Sequence, residues 1–317
     1  MKEKLFLSFA LALCLLVLPS ASASGNSGEA SESSAEMSEA QDAVSRGIPE
    51  DWLVGPSPGL PEALYPRPAL GDPVFQAEID SLCVQRSAKT VELPLKELLA
   101  SQTRIKKGKH LPRKHVILSF DDGPHNPFTL LILDMLDRCK VKAHFFVVGK
   151  LVSRPEHRAT LERLLDQGHV LGSHSHSHAN LLDIELGAAR REIERGHRAL
   201  EKTLGIRTSL FRFPFGAGSS SHALREILAD NGLVSMGWTM SAYDTVYDQP
   251  ASVLEHSLIR FEEESRGGMI FLAHDRKRAT VRMLPDLLKF LVERDYTFVV
   301  VKSAKSPNLR AEQGAKP

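Results

Sequence analysis

The sequence predicts an α/β fold built on a parallel sheet. From residue 115 onward, short apolar runs rich in Val, Ile and Phe alternate with longer stretches that keep apolar residues at helical spacing. A regular strand–helix alternation favours parallel strands, in a sheet that is either closed into a barrel or left open. The predicted strands are HVILSF (115–120), KAHFFVVG (142–149), HVLGSHS (169–175), SLFRFPF (209–215), LVSMGWTM (233–240), GMIFLAHD (268–275) and YTFVVVK (296–302). The predicted helices between them are FTLLILDMLDRC (128–139), EHRATLERLLDQG (156–168), IELGAARREIERGHRALEKTLG (184–205) and VRMLPDLLKFLVERD (281–295).

Composition sets bounds on size and on the class of partner. The chain has 317 residues, of which 42% are apolar and 25% charged, enough for one large domain or two modest ones. The formal net charge of +1 gives no general reason to expect nucleic acid or an anionic membrane as a partner.

The N-terminal quarter of the chain differs in composition from the rest. Residues 1–23 carry two lysines, an apolar run of 14 residues and a final Ala-Ser-Ala, which together predict a secretory signal peptide. A membrane anchor is the rival interpretation, but that run is shorter than the roughly 20 residues that a bilayer requires. Residues 24–75 are rich first in Ser and Glu and then in Pro, so we expect them to be disordered. The mature protein is therefore expected to be secreted or periplasmic, within the cell envelope, with no transmembrane anchor after cleavage.

Residues 76–112 are expected to form an N-terminal extension, and residues 303–317 a C-terminal tail. Two pieces near the extension, VFQAEIDSLCVQ (74–85) and VELPLKELLASQ (91–102), are predicted to be short helices. The segment at 104–114 carries six basic residues. A solvated connection is the favoured interpretation of that segment, and attraction to an anionic polymer is the alternative.

Only Cys83 and Cys139 remain after signal-peptide cleavage. An oxidising compartment permits a disulfide between them, and two unpaired buried thiols are the alternative. Cys139 ends the first predicted helix, where the segment that holds Cys83 could pack across it, and we predict that the two cysteines lie close enough to bridge. A bridge requires the two Cα atoms to lie within about 7 Å of each other.

Polar side chains follow five of the predicted strands at the point where each strand ends. The motifs are SFDDGP (119–124), GSHSHSH (172–178), FRFPFG (211–216), WTMSAYDT (238–245) and FLAHD (271–275). Functional residues gather at the carboxyl ends of parallel strands, so we expect these acids, histidines and one arginine to meet at one rim.

One carboxylate and two imidazoles, with an open position for water, suit catalytic zinc or a neighbouring divalent ion. If residues 172–178 stay extended, His174, His176 and His178 share one face. If the segment curls toward the helix that follows, residues four apart meet. The second geometry pairs His174 with His178 and turns His176 away.

The five motifs, in this order, resemble the polysaccharide deacetylases of the NodB-homology type, carbohydrate esterase family 4. The resemblance covers about residues 113–302. It implies a distorted (β/α)7-type barrel that binds one divalent metal ion, with zinc expected and cobalt or nickel as alternatives. It further implies hydrolysis of acetyl groups from amino sugars or, in some members, from xylan.

The resemblance also implies roles for individual residues. Asp121, the first aspartate of FDDGP, would be the catalytic base, and Arg212 would orient it. His274 would be the catalytic acid, and Asp244 would tune that histidine and keep it protonated until it is needed.

Five further positions complete the implied site. The metal would be held by Asp122, His174 and His178. The backbone N–H of Phe215, which stands where the family usually has Tyr, would help to hold the oxyanion. Leu272 would line the acetyl pocket.

Two departures from the family pattern concern the sugar groove and the core. Ser241 and Thr245 stand where the family has Asp and Trp, which weakens any inference about the substrate. His144 stands where a small Thr is common, and we expect it, like His176, to be a core or neighbouring histidine rather than a ligand.

The leading hypothesis is an exported, metal-dependent N-deacetylase that acts on a GlcNAc-containing polysaccharide, with peptidoglycan expected first. An O-acetyl esterase acting on xylan or another acetylated glycan is a second hypothesis. A carbohydrate-binding protein without turnover is the third, although binding alone would need neither Asp121 nor His274. The expected partner is thus a polysaccharide and not a nucleic acid, and the protein is expected to be a monomer.

Overall fold

A computed structural model describes residues 73–96, 111–263 and 267–302, which form parallel strands alternating with helices. This confirms the predicted α/β class. The predicted signal peptide, nearly all of the segment at 24–75 and the tail at 303–317 lie outside the described residues. Among the described helices, none is long and apolar enough to cross a membrane.

Nine strands and eight α-helices are described, and they are numbered here in chain order. The strands are β1 (Lys89–Pro94), β2 (His115–Asp121), β3 (His144–Val147), β4 (Val170–Ser173), β5 (Leu210–Phe211), β6 (Val234–Ser235), β7 (Met240–Ser241), β8 (Met269–His274) and β9 (Thr297–Lys302). The helices are α1 (Pro73–Ser81), α2 (Phe128–Arg138), α3 (Gly149–Val152), α4 (Arg158–Asp166), α5 (Leu186–Leu204), α6 (His222–Asp230), α7 (Pro250–Glu263) and α8 (Arg278–Glu293), with 3-10 turns at Pro155–His157 and Pro214–Gly216.

Seven of the strands form a distorted barrel with one open seam. Their order is β6-β5-β4-β3-β2-β8-β7, and every pairing is parallel. The two end strands do not pair within the described residues, yet only Met236–Thr239 separate them along the chain. The five Cα–Cα steps from the end of β6 to the start of β7 span at most about 18 Å, so the connection itself keeps the end strands close. The predicted (β/α)7-type barrel is therefore confirmed, and its seam lies between β6 and β7.

Strands β9 and β1 extend the sheet beside the barrel. Strand β9 pairs with the start of β2, and β1 pairs with β9 along its whole length. The prediction of a helix at 91–102 is therefore wrong for Val91–Pro94, which belong to β1. Val91 and Leu93 pack against a buried apolar cluster that includes Val299 and Val301 of β9. This packing and the open edge of β9 favour an extended chain over a helix.

Two of the predicted strands differ most from the structure. The run at 209–215 is a strand only at Leu210–Phe211, and the run at 233–240 is split into β6 and β7. Between the halves, the carbonyls of Met236 and Gly237 accept hydrogen bonds from the Arg212 guanidinium, both at 3.0 Å. Because a side chain occupies these acceptors, the backbone there does not continue as a strand.

The N-terminal extension is fixed to the barrel by packing and by a disulfide. Helix α1 begins at Pro73, inside the segment predicted to be disordered, and its Phe75 and Ile79 are buried in the main core. The Cα atoms of Cys83 and Cys139 are 5.0 Å apart, and their sulfurs are bonded. The predicted approach of these two cysteines is confirmed, and the bridge joins the end of α2 to the extension.

Two histidines are buried in the core beneath the barrel rim. His144 Nε2 accepts a hydrogen bond from the Val301 amide and His169 Nδ1 accepts one from the Ala143 amide, each at 3.1 Å. An accepting ring nitrogen carries no proton. Burial, aided at His144 by the charge of Arg212, lowers the pKa of both histidines to about 3. His144 is therefore a neutral core residue, as expected from the sequence.

The depressed pKa of His144 predicts a loss of stability in mild acid. Above about pH 6.5 this histidine is neutral in both the folded and the unfolded chain. As the pH falls below that value the unfolded chain binds a proton that the folded chain excludes. The free energy of unfolding should then fall by about 1.4 kcal/mol per pH unit for each such histidine.

Urea denaturation between pH 8 and pH 4 measures this slope. The variant His144→Gln keeps an acceptor for the Val301 amide and should lose one histidine's share of the acid slope. His222→Gln, at an exposed position on α6, should keep the wild-type slope. Equal slopes in His144→Gln and wild type would show that this histidine does not carry the effect.

Candidate active site

The predicted site residues converge at the carboxyl ends of the barrel strands. Asp121 is the last residue of β2 and lies in register with His274, the last residue of β8. Asp122 follows directly, with a backbone φ of 75° that turns the chain out of the strand. All three side chains are buried.

His174 follows β4 and is oriented by the backbone of the next strand. Its Nδ1 lies 2.8 Å from the carbonyl oxygen of Arg212, so Nδ1 carries the proton and donates it. This leaves Nε2 as an acceptor, 3.5 Å from Oδ1 of Asp122 and 3.7 Å from Oδ2 of Asp121. A histidine whose other nitrogen is held by a carbonyl is the usual form of a metal ligand.

His178 approaches the same carboxylate from a tight turn. Its backbone φ is 64°, and its amide donates to Oγ of Ser175 at 3.0 Å. The turn brings Nε2 of His178 to 3.1 Å from Oδ1 of Asp122, and the rings of His174 and His178 are 4.9 Å apart.

The donor atoms of Asp122, His174 and His178 lie within 4.8 Å of one another, close enough to share one metal ion. Oδ1 of Asp122 is buried and has no hydrogen-bond partner, which is costly unless a cation neutralises it. Although burial alone would raise the pKa of Asp122, the neighbouring imidazoles of His174 and His178 hold that pKa well below its ordinary value. The residues present therefore fit a divalent ion.

His176 lies outside this group because the histidine loop is fixed against helix α5. The amides of His176 and Ser177 donate to Oε2 of Glu192, at 3.2 and 2.7 Å. At Gly196 a Cβ would lie 2.5 Å from the carbonyl of Ser175, so the helix can approach only with glycine at that position. The structure thus has the curled geometry, not the extended one.

Arg212 is fully buried and orients Asp121. Its Nη1 donates to Oδ1 of Asp121 at 2.7 Å and to Oγ of Ser119 at 2.9 Å. The guanidinium also lies over the Phe146 ring, 4.0 Å from its centroid. One oxygen of Asp121 is therefore fixed, and the other faces His174.

His274 forms a buried pair with Asp244. Nδ1 of His274 lies 2.8 Å from Oδ1 of Asp244, and the amide of His274 donates to Oδ2 at 2.6 Å. The hydroxyl of Thr280 also donates to Oδ2. Burial alone would lower the pKa of His274, but the charge and hydrogen bond of Asp244 outweigh it and raise the pKa to about 10. Burial would raise the pKa of Asp244, yet His274 lowers it, so the two groups form an ion pair.

Phe215 and Leu272 belong to two different elements at the site, the 3-10 turn after β5 and strand β8. Phe215 has a φ of 58° within the 3-10 turn after β5, and its ring lies 4.6 Å from that of His178. Its side chain is 42% exposed, at the rim. Leu272 is buried in β8 two residues before His274, so both side chains are on the same face of the strand.

Two charged residues at the site were not singled out from the sequence. Asp275 is buried, and burial raises its pKa to about 7, while Thr129 donates to its Oδ2 at 2.7 Å. A Cβ at Gly123 would lie 2.0 Å from that oxygen, so glycine is required after the two aspartates. Nε of Arg276 donates to Oδ2 of Asp122 at 2.8 Å. The position of Asp275 directly after His274, at the end of a buried strand, is the signal that could have identified it. No pattern in the sequence singles out Arg276.

Comparison with known proteins agrees with this geometry. The family model described as polysaccharide deacetylase matches residues 108–236. The peptidoglycan-N-acetylglucosamine deacetylase PgdA of Listeria monocytogenes is 28% identical over 244 residues, which are 77% of this chain and 47% of that protein. The chain thus spans about half the length of that curated relative.

A second relative and a solved structure cover larger shares. The putative polysaccharide deacetylase YheN of Bacillus subtilis is 31% identical over 210 residues, 63% of this chain and 73% of that protein. The structure of the Bdellovibrio bacteriovorus peptidoglycan deacetylase Bd3279 matches with a TM-score of 0.58 and 27% identity, over 73% of this chain and 67% of that one. With its barrel, its five motifs and these relatives, the chain belongs to the polysaccharide deacetylase family.

Proposed function

We propose that the protein is an exported, metal-dependent deacetylase that hydrolyses N-acetyl groups of a GlcNAc-containing polysaccharide, with peptidoglycan as the substrate. One observation carries the proposal. A carboxylate, Asp121, and a positively charged imidazole, His274, end two paired strands beside a group of three metal donors. The similarity to peptidoglycan deacetylases of Listeria and Bdellovibrio supports the choice of polymer.

Asp122, His174 and His178 would hold the metal, and zinc suits a carboxylate with two imidazoles. When bound, the ion supplies a Lewis acid that polarises the acetyl carbonyl and makes water a better nucleophile. Cobalt or nickel would suit the same ligands.

Asp121 would act as the base. Its Oδ1 is fixed by Arg212, and its Oδ2 faces the metal donors, 3.7 Å from Nε2 of His174. Oδ2 would take a proton from the water whose oxygen attacks the acetyl carbon.

His274 would act as the acid. Its Nδ1 proton is held by Asp244, so the proton on Nε2 is the one available for transfer. As the C–N bond breaks, Nε2 would give this proton to the sugar nitrogen, which is a poor leaving group unless protonated. The products are acetate and a free amine.

Phe215 and Leu272 would bind the reacting acetyl group. Phe215 has a left-handed backbone and its ring lies 4.6 Å from that of His178, and its N–H would donate to the oxyanion. Leu272, buried on the strand face that carries His274, would enclose the acetyl methyl.

Two features support export to the cell envelope. The chain begins with a pattern typical of a signal peptide, and Cys83 and Cys139 are bridged, as in proteins of oxidising compartments.

Acetate release tests the proposed function. The full chain should release acetate from peptidoglycan, lose this activity with a chelator and regain it with Zn²⁺. Asp121→Asn should lower the rate roughly a hundredfold or more, because the base is lost. This variant should still fold, since Arg212 keeps Ser119, Met236 and Gly237 as acceptors.

Asp230→Asn on the exposed end of α6 is the matched control and should keep wild-type activity. Chito-oligosaccharides and acetylxylan complete the substrate series. Release from acetylxylan alone would favour the O-acetyl esterase, and no release from any polymer would favour a carbohydrate-binding protein.

The role of His274 is tested by changing the leaving group. His274→Ala should be slowed roughly a hundredfold or more on an N-acetyl substrate, because the amine leaves without a proton. On an aryl acetate the same variant should lose much less, since a phenolate departs unprotonated. Initial rates on the two substrates give the comparison. Equal losses would assign His274 a structural role instead.

A further inference from the structure

The two adjacent aspartates each contact one arginine. Oδ1 of Asp121 accepts from Nη1 of Arg212 at 2.7 Å, and Oδ2 of Asp122 accepts from Nε of Arg276 at 2.8 Å. In both carboxylates one oxygen is thereby fixed by an arginine, and the other faces the histidines. Arg212 belongs to the FRFPFG motif of the sequence, whereas Arg276 has no role in the proposed mechanism.

Arg276 lies in a loop that is held against the Asp122 turn. It follows His274 by two residues, and β8 and β2 are paired up to Asp121 and His274. The amide of Asp275 donates to the carbonyl of Asp121 at 3.3 Å. The carboxyl group of Asp275 also fills the space beside Gly123. These contacts place the Arg276 guanidinium over Asp122.

The contact decides which oxygen of Asp122 is available to a metal. Oδ2 is occupied by Arg276, so Oδ1 remains, 3.1 Å from Nε2 of His178 and without a hydrogen-bond partner. Asp122 has a left-handed backbone and lies just beyond the end of β2, so strand pairing does not fix its side chain. The hydrogen bond from Arg276 supplies the missing constraint on the carboxylate.

We propose that Arg276 is a positioning residue that presents Asp122 as a one-oxygen ligand to the metal. The inference rests on the proposed metal role of Asp122. Partners that orient a metal ligand contribute about 10- to 100-fold to affinity. A guanidinium beside a cation also repels it, and repulsion alone predicts the opposite sign: removal of Arg276 would tighten metal binding.

The chain offers a closely matched variant. In Arg276→Gln the amide nitrogen is the same number of bonds from Cα as Nε of arginine, so it keeps a donor for Oδ2 of Asp122 and lacks the charge. Arg276→Ala removes both the donor and the charge. Arg278→Ala, at the exposed start of α8, removes a charge two residues away and serves as the control.

The experiment measures the Kd for Zn²⁺ of the full chain, stripped with chelator and titrated in competition with a chromophoric chelator. We expect Arg276→Ala to bind Zn²⁺ about 10- to 100-fold more weakly than wild type, and Arg276→Gln to recover part of this loss. Arg278→Ala should stay within about threefold of wild type. Thermal melting of each metal-free variant checks that it is folded. If Arg276→Ala is not folded, the Kd of Arg276→Gln for Zn²⁺ tests the proposal instead.

Two results would overturn the proposal: an unchanged or tighter Kd in Arg276→Ala, or no recovery in Arg276→Gln. Asp122→Ala separates this failure from failure of the metal site. If Asp122→Ala loses Zn²⁺ while Arg276→Ala retains it, only the role of Arg276 is wrong. If Asp122→Ala binds Zn²⁺ as wild type does, the metal site itself is wrong.

Discussion

The buried guanidinium of Arg212 is the interaction on which the rest of the site depends. It donates to Asp121 and Ser119 on one side and to the carbonyls of Met236 and Gly237 on the other. The carbonyls of Met236 and Gly237 lie between β6 and β7, two strands that do not pair with each other within the described residues. Arg212 therefore spans the barrel seam and also orients the proposed base. A buried charge is costly unless it is paired and hydrogen-bonded, and Arg212 meets both conditions. The geometry of the base is thus coupled to the closure of the barrel.

Asp122 and His274 at the rim are arranged in a similar way. Each is hydrogen-bonded to one charged partner, and each has one remaining side-chain atom that faces the site. Oδ2 of Asp122 accepts a hydrogen bond from Arg276, and Nδ1 of His274 donates one to Asp244. The free atoms are an oxygen for a metal and a nitrogen for proton transfer. A divalent cation bound nearby would disfavour a second positive charge and so shift the pKa of His274 down from the raised value that Asp244, Asp122 and Asp121 produce against the effect of burial. Such a shift moves the acid toward the pH range in which it can give up its proton.

The α/β class, the alternation of parallel strands with helices and the convergence of five motifs follow from the sequence, because short apolar runs and polar strand ends are local patterns. The curl that separates His176 from the other two histidines does not, since it depends on contacts with Glu192 and Gly196 of the helix that follows. The split of the predicted strand at 233–240 likewise depends on Arg212, and the strand at Val91–Pro94 depends on the open edge of β9. Arg276 could not be assigned from pattern alone, because an arginine after a strand is usually solvated.

The central claim is that one divalent ion binds where the motifs meet, on Asp122, His174 and His178. X-ray diffraction from crystals of the full chain soaked in Zn²⁺, recorded on both sides of the zinc absorption edge, tests it most directly. A single anomalous peak is expected about 2.0–2.2 Å from Nε2 of both histidines and from Oδ1 of Asp122. A peak bound by His176, or one absent from these three residues, would contradict it.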